Sequence, residues 1–241
     1  MDNILEVRGL KVWFPLKKGI FSRTAGYIKA VDGVSFDVHA GETLGVGESG
    51  SGKTTVARVI AGLQKPTEGA MVLRGRVAMV FQDPLGSLNP RMTVRAVLGE
   101  VAGSSGRRCI ELLETVGLDA TALDKYPHEF SGGQRQRICI ARAIALKPEL
   151  LICDEAVSAL DLSIRSQILD LLDGLKRSLG LSVVFITHDL GVVRHIADRI
   201  LVMNAGRLIE EGLCGQVLKA PREEYTRYLI SSVPKIGKPL T

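Results

Sequence analysis

The sequence has few cysteines, and none has the spacing of a metal-binding or redox pair. Its four cysteines are Cys109, Cys139, Cys153 and Cys214, and no two of them form a CxxC pair, the spacing that many zinc and redox sites use. Cys139 and Cys153 lie within apolar runs, as small buried side chains do. This pattern argues against cysteine chemistry and makes a reducing cytosol the default expectation.

Long apolar runs are also absent. No stretch of the chain reaches the roughly 18 uncharged apolar residues that a membrane helix needs. The first residues, MDNILEVRGLKVWF, lack the basic segment followed by an apolar segment that marks a signal peptide. We therefore expect any role at a membrane to pass through a partner.

The composition is that of a folded globular chain. Hydrophobic residues make up 46% and charged residues 24% of the 241 residues, which excludes disordered and fibrous classes. The net charge of +5 is compatible with a nucleotide, a nucleic acid or an acidic membrane surface, and equally with an ordinary solvated surface. The 26 glycines fall in short clusters, which indicates sites built from the backbone.

Hydrophobic periodicity predicts alternating strands and helices. Leu150–Cys153 and Ser182–Thr187 are continuous apolar runs, typical of strands covered on both faces. Leu162–Leu179 carries one apolar stripe and is followed by Gly180, as a helix would be. Further strands are predicted at Leu5–Val12, Val34–Val38, Thr43–Val46, Val77–Phe81 and Leu201–Asn204, and further helices at Lys53–Leu63, Arg107–Val116, Gln134–Leu146 and Glu223–Ser231. The alternation predicts a layered α/β domain with a mainly parallel sheet.

Residues 47–54 read GESGSGKT and match the phosphate-loop pattern G-x-x-x-x-G-K-[ST] between a strand and a helix. Small residues let successive backbone N–H groups wrap a phosphate, and the helix N-terminus adds partial positive charge. Lys53 would reach the β- and γ-phosphates, and the Thr54 hydroxyl would bind Mg²⁺. The predicted nucleotide-binding residues are Gly47, Glu48, Ser49, Gly50, Ser51, Gly52, Lys53, Thr54 and Thr55. The loop alone does not choose among GTPases, kinases, helicases and transport ATPases.

Two carboxylates follow the buried strand LLIC. Asp154 and Glu155 would lie at the carboxyl edge of the sheet, where open α/β sheets bind ligands. Asp154 would hold Mg²⁺ through water, and Glu155 would polarise the water that attacks the γ-phosphate. The simpler alternative is that both carboxylates are merely solvated at the end of the strand. The phosphate loop makes that alternative less favoured.

A second turn rich in small residues precedes a helix. Ser131, Gly132, Gly133 and Gln134 open the segment RQRICIARAIA, so free N–H groups and the positive end of the helix dipole predict a second anion site. One nucleotide need not touch both anion sites within one chain. A head-to-tail pair of domains is the economical arrangement.

With these motifs in order, the sequence resembles the ATP-binding cassette (ABC) family over nearly its whole length. The segments GESGSGKTT, FSGGQRQR, LLICDEAVSALD and FITHDL carry the resemblance. QDPLGSLNPRMTV, YPHEFSGGQRQR and the tail PREEYTRYLISSVP look like the subfamily that powers bacterial di- and oligopeptide importers, with nickel importers as relatives. The resemblance implies a P-loop α/β fold, with a mainly parallel core sheet, an antiparallel β-subdomain and an inserted helical lobe. It implies one domain over residues 1–241, with the lobe at about 84–146 and a C-terminal tail at 221–241.

The resemblance also implies roles for single residues. Gln82 would contact Mg²⁺ or the attacking water, and His188 would contact the γ-phosphate and help hold Glu155. Asp161 would lie at a dimer interface, and it is equally suited to cap the helix that follows. Tyr27 would stack on adenine, with Phe14 and Phe21 as alternatives.

The chain departs from the usual family wording in four places. The strand before the phosphate loop is one residue short, so we expect local strain where the loop begins. The stretches Gly69–Val77 and Gly99–Arg108 are shortened, and Ala156 stands where proline is common. These losses leave every catalytic residue type in place.

The resemblance implies an ATPase subunit that energises a bacterial importer, with ATP and Mg²⁺ as cofactors. The expected partners are a second ATPase subunit, identical or not, two membrane permease subunits and a periplasmic or extracellular solute-binding protein, without direct nucleic-acid binding. The expected location is peripheral, on the cytoplasmic face of the cell membrane. The alternatives are a weakly hydrolytic partner in a heterodimer, a nickel importer ATPase, or a soluble cassette ATPase that acts on nucleic acid or ribosomes.

Overall fold

The computed structural model describes residues 2–18, 23–47, 52–103 and 105–232. Most of the phosphate loop, Glu48, Ser49, Gly50 and Ser51, lies outside the described residues, as do Phe21 and residues 233–241 of the C-terminal tail. The two ends of the phosphate loop, Gly47 and Gly52, are described.

A six-stranded sheet forms the centre of the fold, in the order β5-β6-β7-β3-β8-β9. Its strands are β3 (Thr43–Gly47), β5 (Val77–Val80), β6 (Leu150–Asp154), β7 (Ser182–Ile186), β8 (Arg199–Asn204) and β9 (Arg207–Leu213). The first five strands in the spatial order pair in parallel, and β9 returns antiparallel to β8. This confirms the prediction of a mainly parallel sheet.

A second sheet is antiparallel and has the order β2-β1-β4. Its strands are β1 (Asn3–Lys18), β2 (Arg23–His39) and β4 (Glu68–Leu73). Val12 pairs with Val31 and Trp13 pairs with Lys29, so Ala30 is an extra residue in β2. Such a bulge changes which side chains share a face.

Helices pack on both faces of the central sheet and form the inserted lobe. The described α-helices are α1 (Lys53–Ile60), α2 (Pro84–Ser87), α3 (Val94–Ala102), α4 (Gly106–Thr115), α5 (Gly132–Ala145), α6 (Leu162–Leu179), α7 (Leu190–Ile196), α8 (Cys214–Lys219) and α9 (Glu224–Ser231). Helices α2 to α5 and two short 3₁₀ turns, at Ala120–Asp124 and Pro127–Glu129, lie in the range 84–146 where the helical lobe is predicted. Helix α9 lies within residues 221–241, the range predicted for the C-terminal tail.

Apolar residues of β6 enter two separate cores because successive side chains in a strand point to opposite faces. Leu151 and Cys153 belong to the core shared with α3 to α6. Leu150 and Ile152 belong to the core shared with α1 and the antiparallel sheet. The two-sided burial explains why this segment reads as an unbroken apolar run. The buried thiol of Cys153 has its pKa raised to about 12 by desolvation, with a smaller contribution from Asp154.

Several elements differ from the periodicity prediction. β4 and β9 were not predicted, because four residues of β4 and three residues of β9 are exposed and their apolar pattern is weak. β1 and β2 are longer than predicted, since their mutual pairing extends both strands beyond the central core. The helices α2, α3, α7 and α8 were also missed, and α1 ends at Ile60 rather than Leu63.

The strand before the phosphate loop is regular despite its missing residue. β3 pairs without a register shift from Thr43 to Val46 with β7 and from Leu44 to Gly47 with β8. The strain expected where the loop begins is therefore not found up to Gly47. No helix of the described ranges is long and apolar enough to cross a membrane.

Packing of the lobe core predicts the effect of truncating Leu98. Its side chain is 0% exposed, so we expect Leu98→Ala to lower the free energy of unfolding by about 2–5 kcal/mol. Leu162→Ala is the matched control, because Leu162 is 70% exposed, and surface changes cost about 0.5 kcal/mol or less. Urea denaturation of both variants measures the difference, and equal losses would contradict the assigned packing.

Candidate functional site

The site lies at the carboxyl edge of the central sheet. β3 ends at Gly47, β6 ends at Asp154, and Thr187 follows β7. Ile186 of β7 pairs with both Val46 and Asp154. The carboxyl ends of β3, β6 and β7 therefore lie next to one another in the sheet. The edge of a parallel sheet is where such folds bind ligands.

Gly52 closes the phosphate loop and begins α1. Its φ of +96° is in the region that favours glycine, and a Cβ there would lie 2.0 Å from the Ala30 carbonyl oxygen. Lys53, the next residue, is buried at 4% exposure at the positive end of α1. A side chain at position 52 would therefore collide with the backbone of β2.

Thr54 and Asp154 meet at the start of α1. The Thr54 hydroxyl donates a hydrogen bond to Asp154 Oδ1 at 3.2 Å. Burial raises the pKa of the Asp154 carboxyl, and the charge of Glu155 adds to this, while the Thr54 hydroxyl, Arg58 and Lys53 act in the opposite direction. Within the described ranges no cluster of three or more His, Cys, Asp and Glu could hold a metal ion. One hydroxyl and one carboxylate suit Mg²⁺, which takes few protein ligands and completes its shell with substrate phosphates and water.

Glu155 brings the three predicted catalytic residues together. Gln82 Nε2 donates to Glu155 Oε2 at 3.0 Å, and His188 Nδ1 lies 3.4 Å from Glu155 Oε1. The backbone N–H of Glu155 donates to the Ile186 carbonyl at 2.9 Å, and its φ is +49°. The carboxylate is thus held from both oxygens beside the end of β6.

A cleft of about 410 Å³ adjoins these residues. It is lined by Ile28, Lys29, Ala30, Gly52, Lys53, Thr54, Thr55, Glu155, Ala205 and Gly206. Five of these residues were not predicted from the sequence: Ile28, Lys29 and Ala30 of β2, and Ala205 and Gly206 of the turn between β8 and β9. A glycine two residues after the buried strand β8 was the available signal for the turn, and a Cβ at Gly206 would lie 2.8 Å from the Lys29 carbonyl oxygen.

Neither Tyr27 nor Phe14 is among the residues that line this cleft, but the two side chains lie on different faces of the hairpin. Its ring lies 6.3 Å from the Trp13 ring, centroid to centroid, and Lys29 Nζ lies 4.7 Å from the same Trp13 ring. Phe14 pairs directly with Ile28, and directly paired side chains share a face. The placement therefore favours the alternative Phe14 over Tyr27 for stacking on a base, because Ile28 lines the cleft.

The second anion site begins α5 and is built as a capping box. Ser131 Oγ accepts from the Gln134 N–H at 3.3 Å, and Gln134 Oε1 accepts from the Ser131 N–H at 3.0 Å. The first N–H groups of a helix lack partners within it, which leaves the amides of Gly132 and Gly133 to be satisfied from outside α5. None of the four residues Ser131–Gln134 lines the cleft described above.

Asp161 caps α6, as the sequence allowed. Its Oδ1 accepts hydrogen bonds from the Ile164 N–H at 3.0 Å and from the Ser163 hydroxyl at 2.9 Å. The backbone N–H of Ile164, followed by the Ser163 hydroxyl, lowers the pKa of the Asp161 carboxyl. Its predicted contact across a dimer interface stays a prediction.

The two glycines of the second anion site differ in the space around them. A Cβ on Gly133 would lie 2.4 Å from Ile164 Cγ2, whereas one on Gly132 would lie 3.5 Å from Leu160 Cδ2. We expect Gly133→Ala to lower the free energy of unfolding by about 1–3 kcal/mol through overpacking. Gly132→Ala is the matched control and should be neutral, and thermal denaturation that ranks the two variants in reverse would contradict this packing.

The chain matches a known protein family and is similar to several known proteins. The family model described as ABC transporter matches residues 31–158. The chain is 43% identical to the oligopeptide transport ATP-binding protein OppF of Lactococcus lactis subsp. lactis, with 98% of this chain and 82% of that protein covered. It is 46% identical to the oligopeptide transport ATP-binding protein AppF of Bacillus subtilis, with 98% of this chain and 80% of that protein covered. The first alignment runs over 261 residues, more than the chain's own 241, so that relative has residues without a counterpart here.

Solved structures agree with the sequence comparisons. cbiO1 from Clostridium perfringens, described as part of the ABC transporter complex cbiONQ, matches with a TM-score of 0.78 and 25% identity over 98% of both chains. The ATP-binding cassette MJ0796, in a dimeric post-hydrolysis state bound to ADP and Pi, matches with a TM-score of 0.74 and 28% identity, covering 87% of this chain and 98% of that chain. With the phosphate-loop ends, the acidic pair and the α5 capping box on one fold, the chain belongs to the ABC transporter family of ATP-binding cassettes.

Proposed function

We propose that this chain is the ATP-binding and ATP-hydrolysing subunit of a bacterial ABC importer that moves peptides. The observation that carries the hydrolytic part is the convergence of Gln82 and His188 on Glu155 beside the nucleotide cleft. The substrate class is supported by the relatives, which are oligopeptide transport ATP-binding proteins. The chain supplies energy, and the choice of solute belongs to its partners.

The residues suit a water-mediated attack on the γ-phosphate. Lys53 and the N-terminus of α1 attract the triphosphate, and Glu155 accepts a proton as the water oxygen bonds to the γ-phosphorus. The bond between the γ-phosphorus and the bridging oxygen breaks, and ADP leaves with the electron pair. Gln82 and His188 keep the Glu155 carboxylate oriented during this step.

Mg²⁺ fits the pair formed by Thr54 and Asp154, and when bound it neutralises charge on the phosphates. The family resemblance makes Gln82 a further candidate for a metal contact; its Nε2 donates to Glu155, so its amide oxygen would be the ligand. The hydroxyl of Thr54 and the carboxylate of Asp154 are already directed at each other at 3.2 Å.

A second cassette would complete the site. Ser131–Gln134 lie away from the cleft of their own chain, so their free amides suit the γ-phosphate of a nucleotide held by another chain. The dimeric state of MJ0796 supports the same arrangement here. ATP would then close the pair through contacts with its γ-phosphate, and hydrolysis would reopen the pair.

A groove of about 310 Å³ next to Gln82 suits a membrane permease. It is lined by Phe81, Asp83, Gly86, Ser87 and Arg142, and the side chain of Phe81 is 36% exposed. Arg142 Nη1 donates to the Ser87 carbonyl at 2.6 Å and ties the groove to α5. Two permease subunits and an extracytoplasmic solute-binding protein would complete the importer, with this chain on the cytoplasmic face of the membrane.

The proposed role of Glu155 predicts the effect of removing its charge. We expect Glu155→Gln to lower kcat for ATP at least about 100-fold, because general-base catalysis contributes that much or more. ATP binding should be retained. The measurement is phosphate release from the purified chain, alone and with its partner subunits.

Glu149→Gln is the matched control for this experiment. Glu149 hydrogen-bonds Arg76 just before β6, at the opposite edge of the sheet, and its loss should leave kcat unchanged. If the parent chain hydrolyses ATP no faster than Glu155→Gln under both conditions, the catalytic proposal is wrong.

The placement of the aromatic side chains predicts which one meets the base. Phe14→Ala should weaken ATP binding by about 1–3 kcal/mol, the contribution of one base–aromatic stack. Tyr27→Ala should change the ATP affinity by less than about 0.5 kcal/mol, because Tyr27 lies beside Trp13 on the other face. Fluorescence titration with ATP measures both affinities, and the opposite ranking would return the role to Tyr27.

A further inference from the structure

The position of His188 depends on its backbone. Its imidazole is 53% exposed and touches Glu155 at 3.4 Å, so side-chain packing holds the ring only weakly. The backbone around it is well anchored. The Thr187 N–H donates to the Val46 carbonyl at 3.1 Å, and Asp189 Oδ1 caps α7 by accepting from the Gly191 N–H at 2.8 Å.

Asp189 has a second contact that the cap does not use. Its Oδ2 accepts a hydrogen bond from Arg165 Nη1 of α6 at 2.7 Å. The Arg165 side chain is 20% exposed, and that of Asp189 is 37% exposed. The ion pair is therefore partly shielded from water, which strengthens it relative to a surface pair.

Arg165 also holds the loop that leaves Glu155. Its Nη2 donates to the Leu160 carbonyl at 3.3 Å. That loop begins at Glu155, whose carbonyl accepts hydrogen bonds from the Ser158 N–H and hydroxyl at 3.1 and 3.0 Å. The guanidinium thus contacts two loops, one that follows Glu155 and one that follows His188.

The shape of the guanidinium makes these two contacts interdependent. Its donors lie in one rigid plane, so a displacement of the Leu160 carbonyl changes the direction of the bond to Asp189. Asp189 is adjacent to His188. A movement of the loop near Leu160 can therefore alter the distance between His188 and Glu155.

We propose that Arg165 is a positioning residue that fixes His188 against Glu155 and makes this contact sensitive to the loop at Ser158–Asp161. It touches neither nucleotide nor reacting atoms. The inference rests on the proposed function and on the expectation that Asp161, in the same loop, lies at the interface with the second cassette. Binding of that cassette would then change the position of His188 through the Arg165 guanidinium.

Kinetics in the assembled transporter test the link. Arg165→Met should lower kcat about tenfold while the KM for ATP stays within twofold. The kcat of Arg165→Lys should lie between those of Arg165→Met and the parent, because an ammonium group cannot contact both loops. Asp189→Asn keeps a cap acceptor but loses the charge that pairs with Arg165, and should match Arg165→Met. The double variant should be no slower than either single variant, because both remove one link.

Arg177→Met is the matched control on the same helix. Arg177 pairs with Asp173 on the exposed side of α6, and its loss should leave kcat unchanged. If Arg165→Met retains the parent kcat, or if its kcat and ATP affinity fall together with its thermal stability, Arg165 has only a structural role and the proposal is wrong.

A second readout does not need hydrolysis. The chain has four histidines, so the imidazole NMR signals of His188 can be assigned in the isolated chain by comparison with His188→Gln. Arg165→Met should shift these signals and Arg177→Met should not, and unchanged signals in Arg165→Met would overturn the link. If the signals shift but the parent hydrolyses ATP no faster than Glu155→Gln, the proposed function fails and the positional link stands.

Discussion

Parallel pairing of β6, β7 and β3 is the constraint on which the rest of the site depends. Ile186 pairs with Val46 on one side and Asp154 on the other, and its carbonyl accepts the Glu155 N–H. This hydrogen bond supports Glu155 at a φ of +49°, a conformation that costs a non-glycine residue free energy. The backbone of the sheet therefore sets where the carboxylate lies, before any side chain contributes.

The two faces of the central sheet pack against different elements. One face packs against α1 and the antiparallel sheet, which positions the phosphate-loop helix and the hairpin beside the cleft. The other face packs against the helical lobe and α6, which places the start of α5 away from that cleft. The separation of the two anion sites follows from this layering, and it is the reason that a second chain suits the proposed mechanism.

A continuous series of contacts runs through Glu155. The groove at Phe81–Ser87 leads to Gln82, which donates to one carboxylate oxygen. His188 lies at the other oxygen, and Asp189 connects it to Arg165. Contacts from the groove and from α6 thus meet at one carboxylate, through the hydrogen bond of Gln82 and the neighbouring residues His188 and Asp189.

Local periodicity and motifs of fixed spacing were enough to predict the α/β class, the buried strands and the residue types of the site. The strands β6 and β7 could be predicted because they are buried on both faces, whereas the half-exposed strands β4 and β9 could not. Only the tertiary structure decided which face of the hairpin Phe14 and Tyr27 occupy, since the extra residue at Ala30 shifts the pairing. It alone joined Arg165 to Asp189, which are distant in sequence. Contacts between separate elements depend on how those elements pack, and a linear pattern carries no record of that packing.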